Sequence, residues 1–141
     1  MVQPLSTRTQ IYIIPDNLYP HVGDSGHIYI RVDYWEWPWS DGYMIIIRYC
    51  AAYAQLINYY DSPSIYFQGG YQYVNWVFLP PGGVYGSGSE TRPYIDVIYI
   101  RSGDIVVYAE VYQVWVYYVG NARILIPQFR ASTYITIHIS S

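Results

Sequence analysis

Through most of this chain apolar and polar residues alternate, at the two-residue period of a half-buried strand. After the turn Gly23-Asp24-Ser25-Gly26, Ile28, Ile30, Val32 and Tyr34 point one way. His27, Tyr29, Arg31 and Asp33 point the other. Residues 9–14 read as an earlier strand, stopped by Pro15-Asp16-Asn17. Residues 43–51 alternate too, but both faces are apolar except at Arg48, which predicts a central strand. Residues 64–68 and 71–79 flank Gly69-Gly70, the signature of a hairpin with Val74, Trp76 and Phe78 as its core face. Strands are also expected at 94–101, 105–119, 122–129 and 132–139, the last with Ile135, Ile137 and Ile139 inward. Ser102-Gly103-Asp104 reads as the turn of a second hairpin, and Gly120-Asn121 as another turn. Residues 80–93, rich in Gly, Ser and Pro, read as one long loop. Residues 50–60 fit either a strand or a short helix, because Ala51, Ala52 and Ala54 accompany helical spacing of Tyr49, Tyr53, Leu56 and Tyr60.

About nine short strands with turns every ~8–12 residues, and no alternation with helices, predict an all-β fold. The expected architecture is an antiparallel β-sandwich, immunoglobulin-like or jelly-roll-like, in a single domain over residues 1–141. Residues 1–14 are a candidate exchangeable N-terminal arm, and 133–139 a second segment suited to strand addition. The stretch from Tyr19-Pro20 through Gly23-Asp24 into the Ile28 strand resembles the opening of many immunoglobulin-like domains. The Cys–Trp–Cys framework of true immunoglobulin domains is absent.

Composition changes the picture of the surface. Of 141 residues, 20 are tyrosine and none is lysine, while charged residues make up 12%. A soluble domain normally carries about 25%. Tyrosine pairs an apolar ring with a hydroxyl and suits surfaces that meet other surfaces. The net charge of −3 and the lack of any basic run exclude an electrostatic footprint for nucleic acid. Cys50 is the only cysteine, so neither an internal disulfide nor a multi-cysteine metal cluster is available. No apolar stretch reaches the ~20 residues of a membrane helix. The start, Met1 to Arg8, lacks the layout of a classical signal peptide. A virion or another extracellular assembly is therefore the expected location.

Candidate chemistry is sparse. His21, His27 and His138 fall in no metal-binding spacing, and no nucleophile elbow or phosphate loop is present. Most of the acids sit in turns, where Asp bonds its own backbone. Loop acids converging on one calcium ion are the alternative. No catalytic residue, metal ligand or cofactor is assigned, and the chain is not expected to be an enzyme.

The most specific local feature is Trp35-Glu36-Trp37-Pro38-Trp39. On an extended backbone Trp35, Trp37 and Trp39 project to one side at ~6–7 Å spacing. Such a row resembles the stacking platforms of carbohydrate-binding modules; a subunit contact or a packed corner are the competing readings. Tyr29, Tyr94, Tyr108 and Tyr112 lie on strand faces not assigned to the core. Amphipathic aromatic faces and edge strands without charged guards both invite association. The Tyr-, Ile- and Val-rich, lysine-free composition resembles small β-rich structural proteins of hyperthermophilic archaea and their viruses. The expected function is a self-assembling structural protein, a virion coat or filament subunit. Its binding or interface residues are Trp35, Trp37, Trp39, Tyr29, Tyr108 and Tyr112, and its partners copies of itself. A carbohydrate-binding module using the Trp platform, with a glycan as partner, is the alternative.

Overall fold

A computed structural model describes residues 8–141. It holds ten strands and, among the described residues, no helix. In chain order these are β1 (Arg8–Pro15), β2 (Ser25–Ser40), β3 (Gly42–Cys50), β4 (Ala54–Tyr59) and β5 (Ser64–Gln68). There follow β6 (Tyr71–Phe78), β7 (Val84–Glu90), β8 (Tyr94–Tyr99), β9 (Gly103–Val119) and β10 (Ala122–Ile139). They form two antiparallel sheets. The first runs β1-β2-β8-β4, with β7 continuing along the β8 side of β2. The second runs β10-β9-β3-β6-β5. The all-β antiparallel sandwich is thus the fold, and β3 is central in its sheet as its two apolar faces require.

The alternation written in the sequence becomes the core. Ile28, Ile30 and Val32 of β2 and Ile95, Val97 and Tyr99 of β8 face inward from the first sheet. Ile45, Ile47, Tyr49, Val74, Trp76, Ile105, Val107, Ala109, Val111, Ile137 and Ile139 meet them from the second. Fully burying such a side chain is worth about 1.5–3 kcal/mol, so these strands need no helix to cover them. The β5–β6 turn, Gly69-Gly70, has positive φ at both residues (59° and 82°), which only glycine adopts freely.

Three expectations change, and the open choice at residues 50–60 is resolved. Residues 102–104 do not join a hairpin: β8 belongs to the first sheet and β9 to the second. β8 is already paired on both sides, by β2 and β4, so the chain must cross between sheets there. The supposed loop 80–93 contains strand β7. Its glycines hide the pattern but fit the packing, since a Cβ at Gly88 would sit 2.5 Å from the Tyr34 hydroxyl. The two strands expected at 122–129 and 132–139 are one, β10, interrupted by a bulge between Phe129 and Ala131. Residues 50–60 are a turn and strand β4, not a helix. Of the candidate arm, residues 1–7 lie outside the described residues; Arg8–Pro15 pair along their whole length with β2.

The two lateral sides of the sandwich differ. β1 packs along β10, closing one side. β4 and β5 are the outer strands on the other side and hardly touch each other.

Candidate protein-association surface

The tryptophan run does not form a single platform. Glu36 has φ of 56°, and the β2–β7 register shifts between Tyr34 and Trp37 and again between Trp37 and Ser40. These irregularities break the alternation. Trp37 turns inward, is 3% exposed, stacks on Tyr34 at 4.5 Å and donates its indole N–H to Thr9 Oγ1 at 2.8 Å. Trp35 and Trp39 stay exposed. Trp39 is tied down by its own N–H, which donates to the Gly82 carbonyl at 3.0 Å.

The tyrosines lie on both outer faces. Tyr29 stands on the first sheet, opposite Tyr94. Tyr108 and Tyr112 stand on the second. The Arg48 guanidinium sits 4.1 Å over the Tyr108 ring and 5.5 Å from that of Tyr71, a cation–π arrangement. Tyr112 packs against Phe129 at 5.7 Å and donates its hydroxyl to Glu110. Burial, with that carboxylate beside it, pushes the Tyr112 hydroxyl up to about 12. These rings shield one another and remain half-exposed.

An exposed apolar feature lies where the sequence reading placed none. β3 pairs with β9 only as far as Val114. Beyond that point, among the described residues, β9 and β10 pair only with each other, from Trp115 opposite Ile126 to Val119 opposite Ala122. This two-stranded ribbon continues past the end of β3. Side chains directly opposite share a face. One face carries Trp115, Tyr117, Val119, Ile124 and Ile126; the other carries Val116, Tyr118 and Leu125 with Arg123, the ribbon's single charge. Tyr118 is 73% and Val119 64% exposed, and Tyr117, Ile124, Ile126 and Phe129 are also open to water. An isolated two-stranded ribbon is marginal in water, and contiguous apolar patches of this kind mark interaction sites.

The base of the ribbon is held firmly. Gln113, fully buried, donates to the Pro38 carbonyl and to Ser40 Oγ, both at 2.9 Å, and accepts from Arg130 Nε at 2.8 Å. The Trp115 indole donates to the Trp39 carbonyl at 3.0 Å, and Asp41 Oδ2 accepts from the Val116 amide at 2.6 Å. The turn between β2 and β3 therefore clamps the ribbon where it leaves the body. That fixes its direction before any partner arrives, which lowers the ordering cost of binding.

Other groups offer less. A cleft of about 520 Å³ opens among Tyr34, Tyr43, Tyr60, Phe78, Glu90 and Arg92. Its guanidinium is already engaged, by Glu90 at 3.1 Å and by the Tyr60 hydroxyl at 3.3 Å. His27 pairs with Asp96 at 2.6 Å and His138 with Asp104 at 2.8 Å, both on the surface. Among the described residues no group of three or more His, Cys, Asp or Glu could hold a metal ion. No helix is long and apolar enough to cross a membrane.

No family model matches the sequence, and no curated protein matches it either. Solved structures do match in shape. The seventh ScaB type I cohesin of Pseudobacteroides cellulosolvens superposes with a TM-score of 0.58 at 10% identity, over 93% of this chain and 92% of that one. A type I cohesin–dockerin complex from Clostridium thermocellum gives 0.59 at 5% identity, over 99% of each chain. A non-cellulosomal cohesin from the hyperthermophilic archaeon Archaeoglobus fulgidus gives 0.53 at 12% identity, over 95% and 92%. At these identities the likeness is one of fold: the chain has a cohesin-like β-sandwich.

Proposed function

We propose that this chain is a non-catalytic protein-association module whose first partner is another copy of itself. The observation that carries the proposal is the β9–β10 ribbon beyond Val114, whose uncharged face leaves Tyr117, Val119, Ile124 and Ile126 open to water among the described residues. Ribbons from two copies laid face to face through the uncharged face would bury Tyr117, Val119, Ile124 and Ile126 together, leaving Tyr118 and Arg123 on the outward side. Aromatic anchors of this type dominate binding energy at interfaces. The half-exposed tyrosine fields on both sheets give further surface for neighbours, as expected of a coat or filament subunit outside a cell. The shared fold fits a binding role, since the Clostridium thermocellum cohesin was solved in complex with a dockerin. The wild-type chain should scatter light as more than one copy, with mass rising with concentration. Tyr117→Asp, on the contact face, should lower that mass while leaving the circular dichroism unchanged. A wild type that stays monomeric at high concentration, or a mass indifferent to Tyr117→Asp, overturns the proposal.

A further inference from the structure

The open lateral side carries a second, separate surface. Among the described residues β5 is the last strand of its sheet and pairs only with β6. Its sequence, Ser64-Ile65-Tyr66-Phe67-Gln68, has no charge, no proline and no glycine. Its pairing with β6 is regular, without a bulge. Edge strands are normally blunted by one of these devices, and β5 has none. By register, Ile65 lies opposite Val74 and Phe67 opposite Gln72, both buried inward-facing residues. Ile65 and Phe67 therefore point to the inner side of their sheet, yet they are 39% and 71% exposed. The second sheet overhangs the first here, leaving an apolar ledge beside an unpaired edge.

The backbone says what fits. A two-residue hairpin loop is closed by a hydrogen-bonded pair, here Gln68 and Tyr71. By alternation Tyr66 and Ser64 also direct their amide and carbonyl groups to β6. Ile65 and Phe67 direct theirs to the free edge. A strand that satisfies them must be extended, uncharged and apolar at alternate positions, and β5 itself has that form. Placed antiparallel about a two-fold axis through Tyr66, Ile65 of one copy meets Phe67 of the other in a hydrogen-bonded pair, and Phe67 meets Ile65 likewise. The two Tyr66 residues face each other as the non-hydrogen-bonded pair, on the side where Tyr66 already stacks on Tyr73 at 5.0 Å. No like charges are brought together.

We propose that β5 pairs antiparallel with β5 of a second copy, joining two five-stranded sheets into one across a two-fold axis. This rests on the self-association reading but uses a different surface from the ribbon. Two distinct two-fold contacts on one chain link copies in alternation into an open series, which a single contact cannot do. Light scattering separates the two. Phe67→Lys, at an exposed position, should stop the wild-type polymer at ribbon-linked dimers, and Tyr117→Asp should stop it at β5-linked dimers. In a Cys50→Ser background, Tyr66→Cys should form a disulfide-linked dimer under mild oxidation, whereas the exposed Tyr85→Cys should not. Monomers from Tyr117→Asp, an undiminished polymer from Phe67→Lys, or Tyr66→Cys crosslinking no faster than Tyr85→Cys would each overturn the β5 pairing. The ribbon reading fails separately, if Tyr117→Asp leaves the polymer intact.

Discussion

The two halves of the β9–β10 hairpin are built from the same residue types in opposite situations. In the half nearest the chain ends, Ile105, Val107, Ala109, Val111, Ile137 and Ile139 are buried against the first sheet. In the distal half, Tyr117, Tyr118, Val119, Ile124 and Ile126 stand in water. The strands continue unbroken apart from the bulge between Phe129 and Ala131. What changes is the neighbourhood: β3 stops at Gly42, opposite Val114, and no other described strand pairs with β9 beyond it. Apolar alternation thus prescribes a face to be covered, and the fold decides whether the chain or a partner covers it.

The largest effect that could break this contrast comes from one charge placed in each half. Ile137→Asp puts a carboxylate in the core with no partner, and the folded state should be lost. Ile124→Asp, on the same strand but at the tip, should shift stability by no more than about 0.5 kcal/mol. Thermal melts of the two variants check this; equal losses would mean that the tip is part of the folded core.

Alkaline pH should act on the base next. Burial pushes up the hydroxyls of Tyr43 and Tyr49, and burial with nearby Asp16 raises Tyr99 to about 12. Among the described residues the buried Tyr49 and Tyr99 hydroxyls find no hydrogen-bond partner. Below pH ~10 these tyrosines are protonated in both folded and unfolded chains, so their contribution to stability is complete. Between about 10 and 12 the unfolded chain loses protons that the folded chain keeps. Stability should fall as pH rises through that window. Tyrosinate absorbance and circular dichroism should therefore change together above pH 10; absorbance from every tyrosine at pH 10, with no loss of structure, contradicts the assignment.

A smaller effect tests the clamp between the halves. Gln113→Leu removes the donor to Pro38 and Ser40 and the acceptor for Arg130, at a cost of about 1–3 kcal/mol. Hydrogen exchange should accelerate in residues 113–116 while β3 stays protected. Asp41→Ala, which removes the acceptor for the Val116 amide, should do the same with a cost near 1 kcal/mol.

Much of the body was legible in the sequence because its strands obey simple alternation. β2, β3, β6 and β10 show inward residues every second position, and the Gly69-Gly70 turn announces its hairpin. The failures have specific causes. A strand, a tight turn and another strand look alike whether the chain folds back or crosses to the opposite sheet, so Ser102-Gly103-Asp104 was ambiguous. Only the pairing of β8 with both β2 and β4 resolves it. β7 was hidden because Gly86 and Gly88 carry no side chain to alternate. The three-indole platform failed at Glu36, whose positive φ no pattern of residue types reveals. The ribbon was missed for a different reason. Its run of apolar residues on both faces, from Val114 to Val119, is what a central strand also shows, and the point where β3 ends is not written in β9.

The most direct measurement of the central claim is the mass of the wild-type chain and of Tyr117→Asp/Ile124→Asp by light scattering across a concentration series. The ribbon account predicts a wild-type mass above one chain that rises with concentration, and a smaller, bounded mass for the folded double variant. Identical masses for the two, or a wild type that remains one chain throughout, would contradict it.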